Sequence, residues 1–295
     1  MSGYLALSVE LAGVDPAAAE DAAFAAGAVS VTLTDAVDDA ILEPAPGEVR
    51  LWPRTVLQAL FPAEAAGTAA IIALASALGL PAADIRARHV ADRVWEREWL
   101  RDFHPMRFGR RLWVLPHHAA PPPDPDAVLV RLDPGLAFGT GTHPSTALCL
   151  TWLDSHLAAG SRVIDYGCGS GVLAVAAAQL GASTVHAFDI DPQALIATRD
   201  NTAANAVAAR VQVHEDAATL PAEVDVVVAN ILAGTLVELA PRLCARIARG
   251  GQLVLAGILK QQVHEVRAGF APLLDLTVFA ERDGWSALSG RKVGA

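Results

Sequence analysis

The run Val163-Ile-Asp-Tyr-Gly-Cys-Gly-Ser-Gly171 sets glycine at three alternate positions, Gly167, Gly169 and Gly171, between a short apolar segment and an Ala/Leu-rich one. A chain that passes from strand through glycine turn to helix brings its backbone close to a nucleotide-like ligand at the helix N-terminus. A dinucleotide cradle also requires glycine three residues after the second, where this chain has Val172. A pyrophosphate cradle is therefore disfavoured. Asp189 ends the next apolar run, about 20 residues past the turn, where a carboxylate accepts both hydroxyls of a ribose. Asp216 ends a third run and is placed either for an adenine exocyclic amine or as a plain surface acid. Asn230 ends a fourth, at the strand end where open α/β sheets bind ligands.

A second stretch, Asp133-Pro-Gly-Leu-Ala-Phe-Gly-Thr-Gly-Thr-His-Pro-Ser-Thr146, interleaves three glycines with Phe138, Thr140, Thr142 and His143. It makes a loop rich in backbone and hydroxyl donors. His143 suits a general base, although a histidine in such a loop more often organises it through hydrogen bonds.

The elements that must hold these groups follow from the pattern. Strand 163–166, helix 172–180, strand 184–189, a helix opened by Asp191-Pro192, and strands 211–216 and 224–229 form a repeating βα series. Helix 234–248, strand 252–257 and helix 261–269 continue it. Segments 273–281 and 285–293 then flank Asp283-Gly284, a hairpin signal. Upstream, strand 4–11, a helix opened by Asp15-Pro16 and closed by Gly27, strands 29–34 and 55–61, helix 64–78 and strand 85–94 give the order βαββαβ. The organisation expected is a small α+β ferredoxin-like domain over 1–93, a connector over 94–126, and an α/β ligand-binding domain over 127–295. In the connector Trp95 and Trp99 share one helical face, arginines are dense, and Pro121-Pro-Pro-Asp-Pro125 is a stiff spacer.

A chain of 295 residues is comfortable for two domains, and 53% hydrophobic with 18% charged residues supports a sizeable core and argues against disorder. Three scattered cysteines, with no CxxC, suggest neither a disulfide framework nor zinc, and no metal is expected. No signal-peptide pattern opens the chain and no apolar run spans a bilayer, so a cytoplasmic protein without membrane contact is expected. The net charge of −10 is uneven: residues 1–84 hold two arginines against eleven acids, and residues 85–111 hold eight arginines against four. An acidic N-terminal domain argues against direct nucleic-acid binding and suits a basic partner, or serves solubility alone.

Asp165-Tyr-Gly-Cys-Gly-Ser-Gly171 resembles motif I of the class I S-adenosylmethionine (SAM) methyltransferases. With the loop 133–144, Asp189-Ile-Asp-Pro192, Asn230-Ile-Leu-Ala233, Trp95-Glu-Arg-Glu-Trp99 and Phe103-His-Pro-Met-Arg-Phe-Gly109, the chain closely resembles the ribosomal protein L11 methyltransferase family (PrmA) over nearly its whole length. The related glutamine methyltransferases of release factors carry Asn-Pro-Pro-Tyr where this chain has Asn230-Ile-Leu-Ala233. The resemblance implies a class I methyltransferase Rossmann-like doubly wound sheet finished by an antiparallel hairpin. It implies methyl transfer from SAM to α-amino and lysine ε-amino groups of large-subunit ribosomal protein L11, free or in the ribosome. By motif, the cofactor contacts would be Thr146, Gly167, Asp189 and Asn230, with Phe138 and Asp216 as lesser candidates, and Asn230 would also orient the accepting amine. A SAM methyltransferase of another substrate, an NAD-linked protein and a non-catalytic SAM sensor are the competing readings.

Overall fold

The computed structural model describes residues 3–11, 13–36, 54–62, 68–91, 104–132 and 143–293. The chain divides into two compact units, Met1–Glu98 and Trp99–Ala295.

The first unit runs β1 (Gly3–Glu10), α1 (Pro16–Ala25), β2 (Ser30–Asp35), β3 (Thr55–Pro62), α2 (Thr68–Leu78) and β4 (Arg86–Ala91). Its sheet has the order β2-β3-β1-β4 with every pair antiparallel. Period-two alternation turns Leu5, Leu7 and Val9 of β1 and Leu57, Ala59 and Phe61 of β3 to one side, where they share a core with Ala19, Ala23 and Leu74 of the helices. Asp15 caps α1, its carboxylate accepting the Ala18 N–H at 2.9 Å. The element order is the one read from the sequence.

The second unit opens with a small sheet of β5 (Met106–Phe108), β6 (Leu112–Leu115) and β7 (Val128–Arg131), in which β5/β6 is antiparallel and β6/β7 parallel. Residues 104–126, assigned to the connector on sequence, thus contribute strands here. Phe108, Leu112, Val114, Val130 and Leu132 lie in the same core as the helices that follow. Two polar anchors tie the small sheet down. Asp154 accepts the Arg110 N–H at 2.5 Å. Asn205 takes the Arg131 N–H on Oδ1 and donates Nδ2 to the Arg131 carbonyl, both at 2.7 Å, as a neighbouring strand would.

The main sheet is built from α3 (Pro144–His156), β8 (Arg162–Tyr166), α4 (Val172–Gln179), β9 (Thr184–Phe188), α5 (Pro192–Ala204), β10 (Val211–His214), β11 (Val224–Asn230), α6 (Ala233–Ala245), β12 (Ile247–Leu259), α7 (Val263–Phe270), β13 (Thr277–Arg282) and β14 (Trp285–Arg291). Its order is β10-β9-β8-β11-β12-β14-β13. β8 to β12 pair in parallel, and β14 runs antiparallel to both β12 and β13. Both faces are buried, as a parallel sheet requires. Val163, Val226 and Val254 pack with α3 and α4 on one side, whereas Ile164, Val227 and Leu253 pack with α6 and α7 on the other. The expected hairpin is present, with Asp283 at φ 50° and Gly284 at φ 81° in the primed turn that suits strand twist. No helix among the described residues is long and apolar enough to cross a membrane.

Candidate active site

The strand order reverses between β8, flanked by β9, and β11, so the carboxyl ends of these three strands meet at one crevice. Each leads to a residue singled out above: β8 runs into the glycine turn, β9 into Asp189, and β11 ends in Asn230.

In the glycine turn the backbone donors face inward. The N–H groups of Gly167 and Cys168 both donate to the Phe188 carbonyl, at 2.8 and 2.9 Å, and Gly171 N–H donates to the Cys168 carbonyl at 2.8 Å. Gly169 N–H donates to Asp189 Oδ2 at 2.9 Å. A phosphate cradle needs such donors free and convergent. Here they are spent, and a carboxylate stands beside them. The turn therefore disfavours an anion and suits a neutral or cationic nucleoside.

Asp189 holds the turn and retains capacity. Oδ2 takes Gly169 N–H, and Oδ1 takes the Asp191 N–H at 3.0 Å. A carboxylate offers about four lone-pair sites, so each oxygen has one left for a ligand hydroxyl. Asp191 itself is an N-cap, accepting from Gln193 N–H at 2.9 Å. Helix α5 braces the turn from below. Thr198 Oγ1 donates to the Gly169 carbonyl at 3.0 Å, and Asn201 Nδ2 donates to the Ser170 carbonyl at 2.8 Å. A Cβ on Gly171 would stand 2.8 Å from Thr198 Oγ1, which explains glycine there. Sequence reasoning missed both braces. Their signal is a polar pair three residues apart on a helix that also buries Ala194 and Leu195.

Asn230 Nδ2 donates to Thr146 Oγ1 at 3.0 Å. Thr146 sits in the first turn of α3 and is only 1% exposed, so it fixes which way the amide faces. Oδ1 is left as an acceptor. His143 is the N-cap of the same helix. Its Nδ1 takes the Ser145 N–H at 3.3 Å and lies 2.7 Å from Ser145 Oγ, while the ring meets Trp285 edge-on at 4.6 Å. Partial burial lowers its pKa. These contacts are those of a loop organiser. Asp216 is exposed and caps the short 3-10 turn Ala217–Thr219, Oδ1 accepting from Ala218 N–H at 2.8 Å. Phe138 lies outside the described residues, as do Trp95 and Trp99.

Asp165 is the carboxylate displaced furthest from its ordinary titration range. It is 0% exposed, and neither carboxylate oxygen has a hydrogen-bond partner among the described residues. Burial pushes its pKa from 3.8 up to about 7, and the Asp189 charge adds to the rise. The Ala174 amide pulls the other way, lying within electrostatic range but outside hydrogen-bond geometry. An uncompensated acid under the turn is a second reason for a ligand without negative charge.

The chain matches the family model described as ribosomal protein L11 methyltransferase (PrmA) over residues 3–293. It is 53% identical over 275 residues to a ribosomal protein L11 methyltransferase of Pseudomonas aeruginosa, covering 92% of this chain and 93% of that one. A ribosomal protein L11 methyltransferase of Vibrio cholerae is 49% identical over 276 residues, covering 91% of each chain. Among solved structures, a ribosomal protein L11 methylase from Lactobacillus delbrueckii subsp. bulgaricus superposes with a TM-score of 0.60 at 30% identity, spanning 65% of this chain and 100% of its own.

Proposed function

Because this chain belongs to the ribosomal protein L11 methyltransferase (PrmA) family, we propose that it moves methyl groups from SAM to α-amino and lysine ε-amino groups of ribosomal protein L11. The observation that carries the reading is the Asn230–Thr146 pair beside an inward-turned glycine turn. A primary amide with its N–H tied at 3.0 Å offers its oxygen at the strand end next to a nucleoside site.

When bound, SAM supplies a methyl group on a positively charged sulfur, already a good electrophile. The protein then has mainly to align a neutral amine with it. Asp189 accepts the ribose hydroxyls while it holds Gly169. Gly167 lets the backbone approach, and Thr146 keeps Asn230 in orientation. Asn230 Oδ1 accepts an amine N–H and so turns the nitrogen lone pair toward the methyl carbon. The accepting amine would take the methyl group as the C–S bond breaks, with that bond's electron pair remaining on sulfur, and would then lose a proton. A lysine with an ordinary pKa of ~10.4 must lose one proton before attack, whereas an α-amine near ~8 is often already neutral. Desolvation of the amine at the strand ends favours that neutral form.

Residues 1–93 we assign to recognition of the protein substrate, on the strength of their acidic charge, with the protein working in the cytoplasm where ribosomes are made. The test is transfer of labelled methyl from SAM to purified ribosomes. Label in L11 supports the reading. Label in another component reassigns the substrate, and SAM binding without transfer leaves a sensor.

A further inference from the structure

We propose that Gly257 is a positioning residue for methyl transfer, seating the Ile231 backbone and so fixing where Asn230 aims its amide. The inference rests on the amine-methylation reading above.

Gly257 lies inside β12, where an unbroken strand would have no need of glycine. Its φ is 81°, a left-handed value that other residues rarely adopt. The pairing of β12 with β14 slips at this point: Leu255 faces Leu288 but Ile258 faces Ser286, so β12 carries one extra residue. That is a β-bulge, a device that re-aims a chain near a site. The pairing of β12 with β11 ends at the same place, in Asn230 opposite Ala256.

The space opened by the bulge is filled by the residue after Asn230. A Cβ on Gly257 would stand 2.9 Å from the Ile231 carbonyl carbon and 3.1 Å from its nitrogen, and closer still to its carbonyl oxygen. These are backbone atoms, which cannot swing aside as a side chain would. On the opposite side, Gly167 of the glycine turn, with φ 82°, leaves room for the Ile231 Cγ2 methyl, which a Cβ there would overlap. Ile231 is thus gripped between two glycines far apart in sequence, one in the cofactor turn and one in the neighbouring strand. Asn230 precedes this grip directly, and among the described residues its side chain is tethered by the bond to Thr146. The backbone seat and the Thr146 bond together define its position. A displacement of the order of 1 Å at an aligning group is enough to cost orders of magnitude in rate.

The test uses Gly257→Ala and Ile231→Ala, singly and together, in the full chain. Three quantities are read: SAM affinity by calorimetry, the side-chain amide resonance of Asn230 in a heteronuclear NMR spectrum, and single-turnover methyl transfer to L11 at saturating SAM. Gly257→Ala is expected to shift the Asn230 resonance and slow turnover by about tenfold or more, with SAM affinity within about threefold of the parent. Adding Ile231→Ala should restore part of the rate, because the displaced backbone can then settle toward Gly167. A merely structural glycine would not give that rescue. An unshifted Asn230 resonance in folded Gly257→Ala overturns the proposal, as does a rate loss matched by SAM affinity. If Gly257→Ala fails to fold, Ile231→Ala decides: it should move the same resonance and slow turnover, and no change in either refutes the seat. If the parent chain does not methylate L11, the substrate reading falls while the resonance shift still decides the seat.

Discussion

Asp165→Asn should stabilise the protein in a pH-dependent way, and the size of the effect follows from burial. The carboxyl is 0% exposed with no hydrogen-bond partner among the described residues, and its pKa is raised from 3.8 to about 7. Below pH 3.8 both folded and unfolded chains carry the proton, and the residue is neutral in stability. Between 3.8 and about 7 the folded chain keeps a proton that the unfolded chain has lost, so stability falls as pH rises through that window. Above about 7 the carboxylate is ionised in both states and the full penalty applies. At 1.36 kcal/mol for each pKa unit the penalty totals about 4 kcal/mol, an upper bound for a site that relaxes on ionisation. Asparagine has nearly the same shape and no charge. The difference in unfolding free energy, variant minus parent, should therefore be small near pH 4, about 1.5 kcal/mol at pH 5, and several kcal/mol at pH 8. Urea unfolding of the second unit, followed by Trp152 and Trp285 fluorescence at each pH, supplies the numbers. Other groups titrate over the same range, so the difference between the two proteins is diagnostic and the parent curve alone is not. A difference that stays flat from pH 5 to pH 8 refutes the reasoning and means that donors reach Asp165.

Three further outcomes are expected. Asp189→Ala should weaken SAM binding by about 1.5–3 kcal/mol, roughly 10- to 150-fold in Kd, and unchanged affinity in calorimetry would move the ribose contact elsewhere. Asn230→Ala should lower the single-turnover rate by about 100-fold while SAM affinity changes little, and a loss confined to SAM affinity would make Asn230 a cofactor ligand only. Removal of residues 1–93 should leave SAM binding intact and abolish L11 methylation, and affinity of the full chain for L11 should fall with added salt, since exposed charges are screened over ~10 Å at 0.1 M. Equal rates for the truncated, folded chain would assign the acidic charge to solubility.

Much of the fold is legible in the sequence because local chemistry and tertiary context agree. Asp15-Pro16 and Asp191-Pro192 start helices where cap and φ preference coincide, and Asp283-Gly284 turns where two positive φ values are needed. What escaped depends on distant contacts. The expected strand 252–257 is β12, Ile247–Leu259, because its early residues pair with Val224 across the sheet and its later ones run through a bulge. The helix expected over 234–248 stops at Ala245 for the same reason, the chain being drawn into that pairing at Ile247. The small sheet of β5 to β7 is hidden in the sequence by prolines and short strands, and its shared core with the helices and its anchors on Asp154 and Asn205 reveal where it belongs. In the candidate site, the placement of Asp189 and Asn230 at strand ends is readable because it follows from the βα order, and open α/β sheets put ligands at such ends. The braces Thr198 and Asn201 and the seat at Gly257 are not, since each is defined by a neighbour 20 or more positions away in the chain, as the Thr198–Gly169 bond shows with a separation of 29 residues; the orphaned Asp165 is not, since its state is set by burial.

The most direct test of the central claim is peptide mass spectrometry of L11 from ribosomes of cells lacking this gene, taken before and after incubation with the purified chain and SAM. The predicted result is a gain of methyl groups on amines of L11 with the parent chain, and little or none with Asn230→Ala at saturating SAM. L11 peptides unchanged in mass, while the chain still binds SAM, would contradict it.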